Sequence, residues 1–298
     1  MPQKILIIGS SNTDMVVKTK KFPKPGETVL GGTFMMNPGG KGANQAVAAA
    51  RLGADVRFVT KLGEDIFGKQ AMEGFAQEGL DTSFIVHTPD FASGVALITV
   101  SESGENEIVV ASGANMDLNA TDLPDKIFED VEFVLVQLEI PMATVRYIIQ
   151  KCAKLGLKLI INPAPASRLD DDLLKNVYLL TPNETETEIL TGIYPKNEQQ
   201  LKQATGIFKD KGIGNVIITL GKNGVYMATQ YFTGMLPAVE VTAIDTTAAG
   251  DVYNGALVAA LAAGKPWLDA CNFAANAAAI SVTRMGAQSA APYLKEMN

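Results

Sequence analysis

The chain has 298 residues, 47% of them hydrophobic, which is enough for a sizeable core in one large α/β unit or two smaller ones and leaves no expectation of disorder. Its 25 Lys and Arg face 32 Asp and Glu, a net charge of −7 with no basic run to track a nucleic-acid backbone. The two cysteines, Cys152 and Cys271, form no CxxC pair, which argues against a disulfide framework and a zinc site.

Lys4 to Gly9 reads as a buried first strand. Its apolar run is too short for a signal-peptide core or a membrane span, and no later stretch is long enough to cross a bilayer, so a cytoplasmic location is expected. Ser10-Ser11-Asn12-Thr13-Asp14 follows as a polar loop at the strand's carboxyl end, where open α/β sheets bind ligands. Asn12 and Asp14 suit sugar hydroxyls there, and a solvated turn is the alternative. Alternation broken by Pro23, Pro25 and Gly26 predicts short strands at Met15 to Thr19 and Thr28 to Phe34. The run Asn37-Pro38-Gly39-Gly40-Lys41-Gly42-Ala43-Asn44-Gln45-Ala46 leads into an Ala-rich helix, Val47 to Leu52.

Strand Val56 to Thr60, helix Asp65 to Glu78 and a short strand Phe84 to His87 come next. Gly94 to Val100 and Glu107 to Ala111 then form a second strand pair turned at residues 102–105. The segments 13–34 and 91–111 are expected to build a small β-sheet lid inserted into a single 1–298 domain. A sheet with a face to hide pairs plausibly with a second copy, giving a homodimer. Alternation resumes with strand Phe133 to Leu138, helix Met142 to Lys154, strands Leu157 to Asn162 and Val177 to Thr181, and helices Glu184 to Thr191 and Glu198 to Lys211. Strand Asn215 to Leu220 and a hairpin-like Gly224 to Ala228 complete a mostly parallel central sheet with helices on both faces.

Asp245-Thr246-Thr247-Ala248-Ala249-Gly250-Asp251-Val252-Tyr253-Asn254-Gly255 opens a buried helix starting near Ala248 or Ala249. A helix start without large side chains leaves its first N–H groups bare, with the positive end of the dipole behind them, and such a place holds anions. Asp251 in that first turn would serve as a general base beside a phosphoryl group. Ordinary capping and close packing explain the same residues equally well. The last helix, Ala270 to Val282, carries Asn276, which faces either a ligand or the core.

Three other signatures are missing. Gly39-Gly40-Lys41-Gly42 and Gly221-Lys222-Asn223-Gly224 lack the Ser or Thr that a P-loop uses for Mg²⁺, and the first strand runs into Ser-Ser-Asn rather than GxGxxG. The one histidine, His87, falls on a short strand, which disfavours a Ser-His-Asp triad.

The 37–46 and 245–251 runs, with Asn12 and Asp14, Glu139, Thr181-Pro182-Asn183-Glu184 and Thr219-Leu220-Gly221, resemble in order the signatures of the ribokinase family of carbohydrate kinases. The resemblance implies an ATP-dependent transfer to the primary hydroxyl of D-ribose. It assigns the pentose to Asn12, Asp14, Gly40, Lys41, Asn44 and Glu139, the base to Asp251, and the anion hole to the backbone amides of Ala248, Ala249 and Gly250. It puts the nucleotide against Asn183, Thr219, Gly221, Gly224, Gly250 and Asn276, and Mg²⁺ near Glu184 through water. A potassium ion is implied at Asp245 and Thr247, with Ser281, Arg284 and Gly286 facing them. Ala290 departs from a Ser found in some relatives, and Val252-Tyr253 from the usual Thr or Ser followed by Phe. The alternatives are a kinase of the same fold for deoxyribose, another sugar or a nucleoside, and a non-catalytic sugar-sensing protein.

Overall fold

The computed structural model describes residues 3–297. Its first strand, β1 (Lys4–Ile8), leads into two lid strands, β2 (Asn12–Lys18) and β3 (Thr33–Gly39), and then helix α1 (Lys41–Arg51). β4 (Val56–Val59), β5 (Lys61–Gly63), α2 (Ile66–Gln77) and β6 (Val86–Thr88) follow, then the other lid strands β7 (Gly94–Val100) and β8 (Asn106–Ala111). The alternating part comprises β9 (Val131–Val136), α3 (Met142–Leu155), β10 (Lys158–Ile161), α4 (Asp171–Leu174), β11 (Leu179–Leu180), α5 (Glu184–Thr191), α6 (Glu198–Asp210) and β12 (Val216–Thr219). A terminal hairpin of β13 (Val225–Ala228) and β14 (Thr233–Leu236) precedes the two apolar helices α7 (Ala249–Ala262) and α8 (Trp267–Val282).

The main sheet has the order β14-β13-β12-β11-β10-β9-β1-β4, parallel from β12 to β4 and antiparallel only at the β13–β14 edge. Its strands are apolar on both sides because both sides are covered. Ile5 and Ile7 join a core with α1 and α7, while Leu6 and Ile8 join a second core with α3 and α6. The chain leaves β1 towards β4 on one side and takes β9, β10 and β11 on the other. The crevice at the carboxyl ends of β1 and β9 is thus a topological switch point, where ligands settle in open α/β sheets.

The lid is a separate sheet of order β3-β2-β7-β8. Its first segment reaches beyond the expected 34, because the second strand is not Thr28 to Phe34 but Thr33–Gly39, paired antiparallel with β2. Pro38 fits there because β3 is an edge strand, which can spare a donor. The expected helix Val47 to Leu52 begins six residues earlier, at Lys41. The short pair β5–β6 escaped the sequence because three-residue strands carry no periodicity.

Candidate active site

α1 presses its first turn onto the end of β1, and glycine is what permits it. Gly40 has φ of 88°, and a Cβ there would lie 2.7–2.9 Å from backbone atoms of Ser11 and Asn12. A Cβ on Gly42 would lie 2.6–2.7 Å from Gly9 and Ser10. Neither contact can relax, since the opposing atoms are backbone. The close approach sets Lys41, Asn44 and Gln45 over the strand ends.

Asp251, 7% exposed, occupies the first turn of α7. Its carboxylate accepts hydrogen bonds from Asn44 Nδ2 and Gln45 Nε2, each at 2.9 Å. Burial pushes its pKa up, opposed by Lys41 and by these two donors, while Glu139 adds to the rise. Glu139 accepts from Ser10 Oγ at 2.6 Å and from the Lys41 backbone N–H at 3.1 Å, a carboxylate at a helix N-terminus as the dipole favours. Asn12 is oriented by Asn115, whose Nδ2 donates to Asn12 Oδ1 at 2.8 Å while its Oδ1 accepts from Ser11 N–H at 2.9 Å. That leaves the Asn12 amide NH₂ as a donor for the pocket.

Lys41 makes no side-chain hydrogen bond or salt bridge with the described residues. Burial alone would lower its pKa, but Asp251, Glu139, Glu186 and Asp14 together hold it above the usual value. Burial, with Glu139 and Asp251 nearby, raises Asp14 to about 6 against the pull of Lys41. The buried Asn44 Oδ1 has no hydrogen-bond partner among the described residues. Of the residues expected from sequence to share a pocket, Asp14, Lys41, Glu139 and Asp251 lie within electrostatic reach of one another, Asn44 bonds Asp251, and the Asn12 backbone packs against Gly40.

α7 starts sharply because Ala248 takes the left-handed conformation, φ 58°, uncommon for a residue with a Cβ. The turn engages one expected anion-hole amide, Ala249 N–H to Thr246 O at 3.3 Å, and the first intrahelical-type bond runs from Val252 N–H to Ala248 O at 2.9 Å. The amides of Gly250 and Asp251, in the first turn, have no such acceptor. Asp245 ties this loop to the segment after α8, accepting from Thr247 N–H and Gly286 N–H, each at 2.9 Å. Burial opposes its ionisation, but these hydrogen bonds hold its pKa below the ordinary value. The Ser281 carbonyl accepts Arg284 N–H at 3.0 Å in the same turn, and Ala290 is buried without a hydroxyl to offer.

At the carboxyl ends of β11 and β12, Asn183 and Thr219 meet as neighbouring residues in an isolated parallel bridge. The expected metal carboxylate Glu184 is partly exposed, and its side chain enters none of the hydrogen bonds or ion pairs described for the pocket. Two residues on, Glu186 is buried, accepts from Asn183 N–H at 2.8 Å and Nδ2 at 3.1 Å, and senses Lys41 and Asp251. Burial lifts its pKa to about 7. Its place in the Asn183 capping box was the sequence signal available. Gly221 opens the turn after β12 with φ 53°, whereas Gly224 packs tightly on the backbone of Pro237 and Ala238. Asn276 lies exposed on α8, apart from these groups.

The arrangement offers a proton acceptor, a row of sugar-type donors and acceptors, a cation and bare helix amides, converging from sequence positions 12 to 251. Residues 2–294 match the family described as pfkB family carbohydrate kinase. The chain is 45% identical to the ribokinase of Haemophilus influenzae, over 99% of this chain and 97% of that protein. It is 37% identical to the deoxyribokinase of Salmonella typhi, over 99% of this chain and 97% of that protein. The solved structure of Arabidopsis thaliana ribokinase complexed with ribose and ATP superimposes with a TM-score of 0.93 at 30% identity, covering 100% of this chain and 98% of that one.

Proposed function

The chain belongs to the pfkB family of carbohydrate kinases, and from that premise we propose that it transfers the γ-phosphoryl group of ATP to the 5-hydroxyl of D-ribose, giving D-ribose 5-phosphate and ADP. The observation that carries the reading is the buried Asp251 carboxylate, fixed by Asn44 and Gln45 in the same first turn that presents the free amides of α7. Asp251 takes the hydroxyl proton as the oxygen attacks phosphorus. The amides of Ala248, Gly250 and Asp251, with a contribution from Ala249, stabilise the charge that gathers on the transferring group. Asn12, Asp14, the backbone at Gly40, Lys41, Asn44 and Glu139 hold the ribose hydroxyls in place, which converts a bimolecular encounter into an oriented one.

Four carboxylates crowd one ammonium in this pocket, so a triphosphate needs added positive charge. Mg²⁺ would supply it, and Asn183 and the buried Glu186, whose oxygens suit a hard cation, are the residues that would hold it. The same surface, with Thr219, Gly221 and Gly224, would border the nucleotide, and the exposed Asn276 on α8 would meet the adenine. K⁺ would be held by Asp245 and the carbonyls of Thr247, Ser281, Arg284 and Gly286. Oxygen donors on two segments that Asp245 ties together suit a hard cation, whose charge supports the adjacent anion hole. The reading also includes a homodimer through the lid and a cytoplasmic site of action. No helix among the described residues is long and apolar enough to cross a membrane.

A second reading, deoxyribose as acceptor, draws on the deoxyribokinase relative. The 2-hydroxyl separates the two, because buried groups that bond it reject the analogue lacking it. A panel of pentoses, ketohexoses and nucleosides under saturating ATP and Mg²⁺ tests the proposal. Ribose is expected to give the highest kcat/KM and ribose 5-phosphate as product. Preference for deoxyribose transfers the assignment to the second reading, and no ATP consumption with any sugar overturns both.

A further inference from the structure

A chain of buried side chains with no place in substrate binding runs behind the pocket. Gln137, 0% exposed, follows β9 and donates from Nε2 to Gln45 Oε1 at 2.6 Å. With its oxygen so engaged, the Gln45 amide turns its Nε2 to Asp251 Oδ1 at 2.9 Å and to Asn162 Oδ1 at 3.0 Å. Asn162 passes the connection on through Nδ2 to Thr181 O at 3.1 Å. Thr181 Oγ1 donates to Asn254 Oδ1 at 2.6 Å, and Asn254 Nδ2 donates to Gly250 O at 2.8 Å. The chain begins at the base and ends on the peptide whose N–H belongs to Asp251 in the anion hole, crossing the ends of β9, β10 and β11.

We infer that Gln137 is a positioning residue: by holding the Gln45 amide in one orientation it aims a donor at Asp251, and the relay through Asn162, Thr181 and Asn254 keeps base and anion hole in register. The alternative orientation of Gln45 would present its carbonyl oxygen to the Asp251 carboxylate, a repulsive contact inside a low-dielectric core. Among the described residues Gln137's side chain hydrogen-bonds Gln45 alone, and its own Oε1 is buried without a partner, a cost in stability. The groups facing Asp251 are Lys41 and Asn44 on α1, Glu139 after β9, Asp14 on β2 and Glu186 on α5. None of them replaces the Gln45 donor.

The inference rests on Asp251 acting as base, and the experiment separates the two. In single turnovers with saturating ATP and ribose, Gln137→Met keeps the volume and removes the bond. The rate is expected to fall by about 10- to 100-fold, part of what a general base contributes, with the KM for ribose changed less than about threefold. Losing a donor that favours the ionised base moves the acid limb of the rate profile to higher pH. Gln137→Glu serves as a second variant should the first not fold: protonated, its O–H still donates to Gln45, so its rate is expected to recover as pH falls. An unmoved acid limb in Gln137→Met, or a Gln137→Glu rate that fails to recover as pH falls, overturns the positioning role, with or without loss of stability. Full activity of Asp251→Asn overturns the proposed base instead.

Discussion

At the scale of single residues, charge crowding gives the pocket its pH response. Asp14 lies at about 6 because burial and the neighbouring Glu139 and Asp251 disfavour its ionised form. A ribose hydroxyl donating to its carboxylate favours that form, so binding releases a proton near pH 6 and weakens below it, by up to about tenfold per pH unit. Calorimetric titration with ribose in two buffers of different ionisation enthalpy checks this, and affinity constant from pH 5 to 7 would contradict it. The residues that would touch substrate on this account were legible through the family resemblance, since Asn12, Asp14, Lys41, Asn44 and Asp251 fall in its matched runs, whereas local spacing alone left capping and close packing as an equal alternative. The residues that aim them were not. Ser10, Asn115, Gln137 and Asn162 are ordinary polar residues in sequence, and only the fold shows Ser10 beneath Glu139 and Asn115 behind Asn12. Glu186 was masked by its neighbour Glu184, because a helix turn rather than sequence adjacency decides which carboxylate is buried.

Among the elements, the crossing of α1 and α7 sets the distance from Asp251 to its two donors. Gly255 marks that crossing, where an added Cβ would sit 2.5 Å from Gln45 O and 2.8 Å from Ala48 Cβ. Gly255→Ala gains about 1 kcal/mol of helix propensity, but overpacking against backbone costs about 1–3 kcal/mol. The variant is expected to unfold at lower temperature and, because α7 is pushed away from Gln45, to lose kcat by more than about tenfold. Thermal unfolding beside steady-state kinetics checks both, and unchanged kcat would contradict the crossing's role. Helices were read closely from their caps and periods, with α5 matching at both ends. β3 slipped by five residues because its glycines and Pro38 look like loop residues until β2 supplies a partner. The start of α1 was late for a similar reason, as Gly40 and Gly42 look like loop residues until the fold brings them against the backbone of Gly9, Ser10 and Ser11.

For the whole molecule, the second sheet is proposed to govern both access and assembly. Paired registers set Met36, Met15, Leu97 and Val109 in one row across its four strands, with Phe34 and Val17 beside them, and most of these are exposed. Ile108 and Val110 are exposed on the opposite face, the one shared with Asp14. Apolar residues are exposed on both faces, so closure over the pocket would leave one apolar face open to a partner. Ile108→Lys with Val109→Lys, one charge on each face, is expected to shift the protein from dimer to monomer in sedimentation equilibrium and to raise the KM for ribose. A wild-type chain that sediments as a monomer would contradict the lid dimer.

The mostly parallel sheet covered on both faces was readable from strand–helix alternation, whereas its strand order was not, and the convergence of residues 12, 41 and 251 was implied only by the resemblance. That convergence is what turnover depends on. Asp251→Asn keeps the shape and removes the base, so measuring kcat and ribose affinity of this variant side by side bears most directly on the account. A fall in kcat of at least about 10²-fold with ribose binding nearly intact is expected; a variant that turns over ribose at the wild-type rate would contradict it.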